Sequence, residues 1–219
     1  MSAAACVWIT GGGSGVGAAL ARKLAEAGEQ VVISGRQADD LSEVAAGQPG
    51  ILAFPIDIAD SSAVRNGVQR IERDVAPISL AVLTSAESSP VPLSAFERER
   101  LRSQTDAGVG GALNCLGALV PVLCQRGRGH VAILPPSGKN EGGPLANLVL
   151  SLSHDLAGSG VKIQVIDPEL VEGPTAEQTG RAVDAILRGL RSGKTTATVE
   201  EGGGNGSLWS FLKALWSRQ

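Results

Sequence analysis

Cys6-Val7-Trp8-Ile9-Thr10-Gly11-Gly12-Gly13-Ser14-Gly15-Val16-Gly17-Ala18-Ala19-Leu20-Ala21-Arg22-Lys23-Leu24 is the stretch that decides the fold. Its first five residues are mostly apolar and short enough to be a buried strand, the glycine-rich run is a turn, and a helical pattern begins at Ala18. A phosphate needs backbone N–H donors and a close approach. Glycines remove the Cβ atoms that would block that approach, and the N-terminus of the next helix adds partial positive charge. Gly11, Gly15 and Gly17 carry the spacing G-x-x-x-G-x-G. A glycine turn by itself also serves as a plain chain reversal. The context favours phosphate, because a strand precedes the turn, a helix follows it, and a second strand arrives at Val31-Val32-Ile33.

Outward from this stretch the same alternation continues. The first helix stops at Gly28, a C-cap glycine, and the second strand, Val31 to Ser34, ends in Gly35-Arg36. A helix runs to about Ala46, and Ile51 to Pro55 reads as a third strand leading to Asp57-Ile58. Val64, Val68 and Ile71 share one helical face over about 61–73, with Asp60 or Ser61 placed to cap it. Strand four is Ser79 to Leu83, and residues 93–126 are mostly helical, broken near Gly108, Gly110 and Gly111. Strand five is His130 to Leu134, a helix spans about 145–156, and strand six is Val161 to Ile166. A helix from Ala176 to about Leu190 and a last strand at Thr195 to Val199 complete the pattern. Alternation of this kind predicts an α/β fold: one doubly wound domain over 1–219, with a parallel sheet of about seven strands covered on both faces. An amphipathic helix at about 207–217 closes the chain, with Leu208, Leu212, Leu215 and Trp216 on one face.

Composition narrows the function classes. The chain has 219 residues, 43% of them hydrophobic, and a net charge of −3, so no basic excess drives it to nucleic acid. Neither a leader pattern nor a run of about eighteen apolar residues is evident, which predicts a cytoplasmic chain without a transmembrane segment. Cys6, Cys115 and Cys124 lack metal-ligand spacing and read as reduced buried thiols, so no metal is expected. The most telling entry in the composition is an absence, since the tyrosine count is 0.

Thr10-Gly11-x-x-x-Gly15-x-Gly17, Arg36 after strand two, Asp57-Ile58 after strand three, and Gly160 to Val165 before Pro168 together resemble the short-chain dehydrogenase/reductase family over residues 6 to about 175. The resemblance implies a Rossmann-type sheet with a nicotinamide dinucleotide across the carboxyl ends of its strands. The residues it implies at that cofactor are Thr10, Gly11, Gly13, Ser14, Gly15, Val16, Gly17, Ser34, Arg36, Asp57, Ile58, Ala86 and Pro168. Asp57 accepts from the adenine amino group and Ile58 offers its backbone N–H. Charge chooses the cofactor form: NAD calls for a carboxylate at the end of strand two, NADP for a cation that pairs with the 2′-phosphate. Ser34-Gly35-Arg36 supplies a cation and has no carboxylate before Asp39, so NADP(H) is favoured over NAD(H); the plain alternative is an Arg in solvent.

The catalytic half departs from that pattern. The family moves a hydride with a tyrosine acid, a lysine that lowers its pKa, a serine and an asparagine. Aligned on the flanking landmarks, these four positions fall on Gly138, Gly142, Pro136 and Gly108. Glu87 and Glu169 also stand where the family carries glycine, near a cofactor that is itself anionic. Ser137 and Lys139 are the weak substitutes at hand, and Lys139 would act as an acid only if burial lowered its pKa. The expected function is an NADP(H)-binding protein of oxidoreductase ancestry without the usual carbonyl/alcohol hydride transfer, in a regulatory, cofactor-binding or partner-subunit role. Two alternatives stay open: an NADP-dependent oxidoreductase working through Ser137 and Lys139, and a structural homologue binding no cofactor. A homodimer or tetramer, or a hetero-oligomer with an active family member, is expected through the helices around 102–126 and 145–157.

Overall fold

A computed structural model of the chain describes residues 5–84, 106–135, 144–167 and 175–192. Strands β1 (Cys6–Thr10), β2 (Gln30–Ser34), β3 (Ile51–Ala53), β4 (Ile78–Thr84), β5 (Gly129–Leu134) and β6 (Val161–Val165) form one sheet in the order β3-β2-β1-β4-β5-β6. Every neighbouring pair is parallel. Helices α1 (Gly15–Glu26), α2 (Ala38–Ala45), α3 (Ser61–Asp74), α4 (Gly111–Arg126), α5 (Pro144–Asp155) and α6 (Ala176–Ser192) pack on its two faces. The Rossmann-like α/β fold expected from the alternation is therefore present, with six strands among the described residues. The seventh strand expected at 195–199 and the helix expected at 207–217 lie outside them.

The strands read as near-continuous apolar runs because both faces are covered. Successive side chains point to opposite sides, so Cys6 and Trp8 join one core with Val32, Leu83, Val131 and Ile163, under α3, α4 and α5. Val7 and Ile9 join the other with Val31, Ile33 and Val82, under α1, α2 and α6. Ile71, Leu116, Leu20 and Ile186 are each 0% exposed, and fully burying such a side chain contributes about 1.5–3 kcal/mol.

The boundaries differ from expectation for local reasons. Helix α1 begins inside the glycine motif, at Gly15, after an extended Ser14 (φ −156°, ψ 173°) whose carbonyl accepts from the Ala18 N–H at 3.1 Å. It ends with Gly28 at φ 90°, the left-handed exit foreseen there. Strand β3 stops at Ala53 because Pro55 has no N–H for the ladder; Phe54 N–H still reaches Ile33 O at 2.9 Å and Ile56 N–H reaches Gly35 O at 3.2 Å. Asp60 is the cap of α3, its Oδ1 accepting from Ser62 N–H at 2.8 Å and Ala63 N–H at 3.1 Å. Gly108 and Gly110 lie in a wide π-turn, Asp106–Gly110, that runs straight into α4 at Gly111; the helix expected before it, from residue 93, lies outside the described residues.

Arg126 ties α4 to the sheet. Its Nη1 lies 2.9 Å from Glu72 Oε2 and its Nη2 donates to Ile78 O at 2.7 Å, while Ile78 N–H donates to Glu72 Oε1 at 2.9 Å. The stretch Gly108–Arg126 is long and apolar enough, by length and composition, to cross a membrane. Here one face of it, including Ala112, Cys115, Leu116, Leu119 and Leu123, packs in the core.

Candidate functional site

The order of the sheet creates the site. After β1 the chain winds toward β2 and β3, and β4 then returns to the other side of β1, so a crevice opens at the carboxyl ends of β1 and β4. The glycine turn after β1 lies at this crevice. Gly11 has φ 63°, in the left-handed region that favours glycine, and a Cβ there would run into the Thr84 side chain. A Cβ on Gly17 would collide with the carbonyl of Gly11, and one on Gly12 would lie 2.6 Å from Ile33 Cβ. Gly13 is less constrained, its nearest neighbour being Asp40 Cβ at 3.1 Å. The turn therefore presents backbone rather than side chains, and the first turn of α1 above it holds no acidic residue. Ser14, Gly15 and Val16 form the rim; Ser14 is exposed and its side chain makes no capping bond. A turn packed too closely on Thr84, Ile33 and its own backbone to carry side chains, at a helix N-terminus with no acidic residue in its first turn, fits a dinucleotide phosphate.

Two threonines hold the cradle from below. Thr84 N–H donates to Thr10 Oγ1 at 3.0 Å, Thr84 Oγ1 donates to Thr10 O at 2.6 Å, and Thr10 Oγ1 donates to Thr84 O at 3.3 Å. Ser34 supports it on the other side, its carbonyl accepting from Gly12 N–H at 3.1 Å and its hydroxyl accepting from Trp8 Nε1–H at 2.9 Å. Thr10 and Ser34 are each 0% exposed, so both lie beneath the cradle rather than on its surface.

Arg36 stands at the exposed exit of β2 and forms no ion pair among the described residues. Asp57 is exposed, and its Oδ1 accepts from Ala59 N–H at 3.0 Å, which tightens the turn it opens. Ile58 is half-buried against the same core as α4. The structure thus gathers the glycine turn, Arg36, Asp57 and Ile58 along the carboxyl ends of β1, β2 and β3. Ala86 and Pro168 lie outside the described residues.

On the catalytic side, Gly108 sits in the π-turn, and a Cβ on it would meet nothing within 4 Å. It lines a small apolar recess with Ile58, Thr84, Ala112 and Cys115. Burial pushes the Cys115 thiol up to about 12, so it is no nucleophile at neutral pH. Pro136, Ser137, Gly138, Lys139 and Gly142 lie outside the described residues. His154 is exposed at the end of α5, while its neighbours Leu152 and Leu156 are packed.

Sequence reasoning missed Thr84 and Asn114. Asn114 Nδ2 donates to Ile58 O at 2.9 Å and to Ala59 O at 3.2 Å. A signal was available, since Asn114 is the one amide in the apolar run from Gly111 to Val122.

Three comparisons bear on this geometry. A family model described as short chain dehydrogenase matches residues 5–138. The sulfoacetaldehyde reductase of Chromohalobacter salexigens is 30% identical over 217 residues, covering 90% of this chain and 83% of that protein. Among solved structures, a metagenomic short-chain oxidoreductase in complex with NADP superposes with a TM-score of 0.70 at 20% identity, covering 90% of this chain and 95% of the other. The 3-ketoacyl-(acyl-carrier-protein) reductase of Brucella melitensis, complexed with NADH, superposes with a TM-score of 0.68 at 20% identity, covering 77% and 76%.

Proposed function

The chain belongs to the short-chain dehydrogenase family, and from that premise we propose that it binds NADP(H) in preference to NAD(H) without carrying out the family's tyrosine-dependent carbonyl/alcohol chemistry. The observation that carries the binding half is the glycine turn, where Gly11 and Gly17 pack too closely on Thr84 and on the Gly11 carbonyl to carry a Cβ, which leaves bare backbone at the N-terminus of α1. Arg36, exposed and unpaired among the described residues, supports the choice of the 2′-phosphate form. Asp57 and Ile58 then hold the adenine, with Ala86 and Pro168 toward the nicotinamide end. When bound, the cofactor supplies a hydride.

When a carbonyl carbon receives that hydride its oxygen needs a proton, and this chain holds no tyrosine to give one. The role that follows is regulatory, cofactor-sensing or that of a partner subunit. Leu113 and Leu150, 37% and 48% exposed on α4 and α5, support self-association or pairing with an active family member through those helices.

The test is calorimetric titration of stripped protein with NADPH and NADH, followed by an assay of NADPH oxidation over a panel of aldehydes and ketones. Tighter binding of NADPH with no turnover is the expected result. Absence of binding by either nucleotide would reduce the glycine turn to an inherited scaffold. A second reading, reduction of a small carbonyl substrate using Ser137 and Lys139, draws on the 30% identity to a reductase over 90% of the chain. Turnover that disappears in Lys139→Ala would establish it.

A further inference from the structure

We infer that Asn114 is the positioning residue of the adenine end of the site, holding the Asp57–Ala59 turn from the opposite helix. This rests on the dinucleotide reading above. The turn has three local fixings: Asp57 Oδ1 accepts from Ala59 N–H at 3.0 Å, Asp57 O accepts from Asp60 N–H at 3.1 Å, and Asp60 caps α3 directly after it. None of these ties it to α4. Asn114 does, because it reaches across from α4, 56 positions away in sequence, and its carboxamide nitrogen bonds both Ile58 O (2.9 Å) and Ala59 O (3.2 Å).

A steric contact works with these bonds. A Cβ on Gly111, one helical turn before Asn114, would lie 2.7 Å from Ile58 Cδ1, so the Ile58 side chain rests directly on the α4 backbone. Ile58 is thus pulled by its carbonyl and stopped by its side chain, and its N–H is aimed by the same restraint. The helix that does this also carries Gly108 in the π-turn just before it, so both ends of the crevice are referenced to one rigid element. A preorganised turn spends no binding free energy on ordering itself when adenine arrives.

Asn114→Leu keeps the size and removes the donor. Asn114→Asp places a carboxylate oxygen against two carbonyl oxygens. Each is titrated by calorimetry with NADPH and with adenosine 2′,5′-bisphosphate, which contains only the adenine end; Gln125→Ala, on the exposed side of α4, is the control. Loss of two neutral hydrogen bonds should weaken both ligands by the same factor, about tenfold. A residue that merely stabilised the fold would lower the unfolding midpoint and leave both dissociation constants of the folded protein unchanged. Variants that bind like the wild type overturn the inference, as does weaker NADPH binding with the fragment unaffected. If the wild type binds neither ligand, the dinucleotide reading falls and takes this inference with it.

Discussion

The two halves of the sheet end in different kinds of surface. At the carboxyl ends of β1 to β3 the chain offers backbone: a glycine turn, the N-terminus of α1 and a tight Asp57–Ala59 turn, all referenced to one another by short bonds. Beyond β4 the family's chemistry depends on side chains, and the described position among them, Gly108, has none. The two kinds of surface respond differently to substitution. A phosphate cradle is defined by atoms that must be absent, so the fold's own packing enforces it: restoring a Cβ at Gly17 would strike the carbonyl of Gly11 whether or not a ligand is bound. A catalytic side chain is defined by atoms that must be present, and nothing in the packing around Gly108, where the family's asparagine position falls, requires them.

That contrast is broken most directly by putting the same atom into both halves. Gly17→Ala should push NADPH binding below calorimetric detection and lower the unfolding midpoint, since its Cβ has nowhere to go. Gly108→Ala meets open space and should leave binding unchanged. Equal behaviour of the two variants would remove the asymmetry. Next in size is Arg36→Ala, which removes a charge-assisted bond worth about 1.5–3 kcal/mol and should cost NADPH roughly ten- to a hundredfold in affinity while NADH is unaffected. An equal loss for both nucleotides in that titration would mean that Arg36 does not read the 2′-phosphate.

The backbone half was also the legible half. Strand, turn and helix were fixed by apolar run lengths and by glycines at Gly11, Gly15 and Gly17, features that act over a few residues and so are visible in a short window of sequence. What escaped was whatever depends on contacts across the sheet. Thr84 and Thr10 are 74 residues apart, and Asn114 lies 56 from Ile58, so neither pairing has a local signature. The resemblance implies Ser34 at the cofactor, and the bond that its hydroxyl accepts from Trp8, across from β1, had no local signature either. The break in the helical pattern expected near Gly108, Gly110 and Gly111 falls on the π-turn Asp106–Gly110, and Gly111, at the start of α4, packs on Ile58.

The second half of the sheet carries a pH-sensitive group of its own, and this sharpens the comparison with a smaller effect. His130, on β5, is held below its ordinary pKa by burial, and the Lys162 charge on β6 pushes the same way. The Gln164 carboxamide nearby opposes this, but among the described residues neither it nor His130 Nε2 completes a hydrogen bond, so burial dominates. A histidine with a depressed pKa is neutral in both states at pH 7.5 and above. As the pH drops below about 6.5 the unfolded chain takes up the proton first, and stability declines until the folded pKa is reached. Urea midpoints at pH 7.5 and 5.5 should therefore separate in the wild type, and the separation should narrow in His130→Asn. A separation of the same size in both proteins would place the acid sensitivity elsewhere.

The smallest expected effect is the most decisive for function. Ser137 and Lys139 flank Gly138, the position where the family holds its tyrosine. If the chain had replaced its tyrosine with a new acid, Lys139 would need a pKa brought down toward neutrality, and removing it should abolish turnover and shift the pH profile of whatever remained. If the chain instead keeps only the cradle, Ser137→Ala and Lys139→Ala should bind NADPH as the wild type does, with any slow NADPH oxidation unchanged in rate and in pH dependence. The neutral result is informative because the same preparations must still lose NADPH selectivity when Arg36→Ala is added. Binding that responds to Arg36 and chemistry that responds to neither loop residue would mean that one half of the sheet is in use and the other is not. A rate that collapses in Lys139→Ala alone would move the proton donor into the loop and make this chain an oxidoreductase by a route of its own.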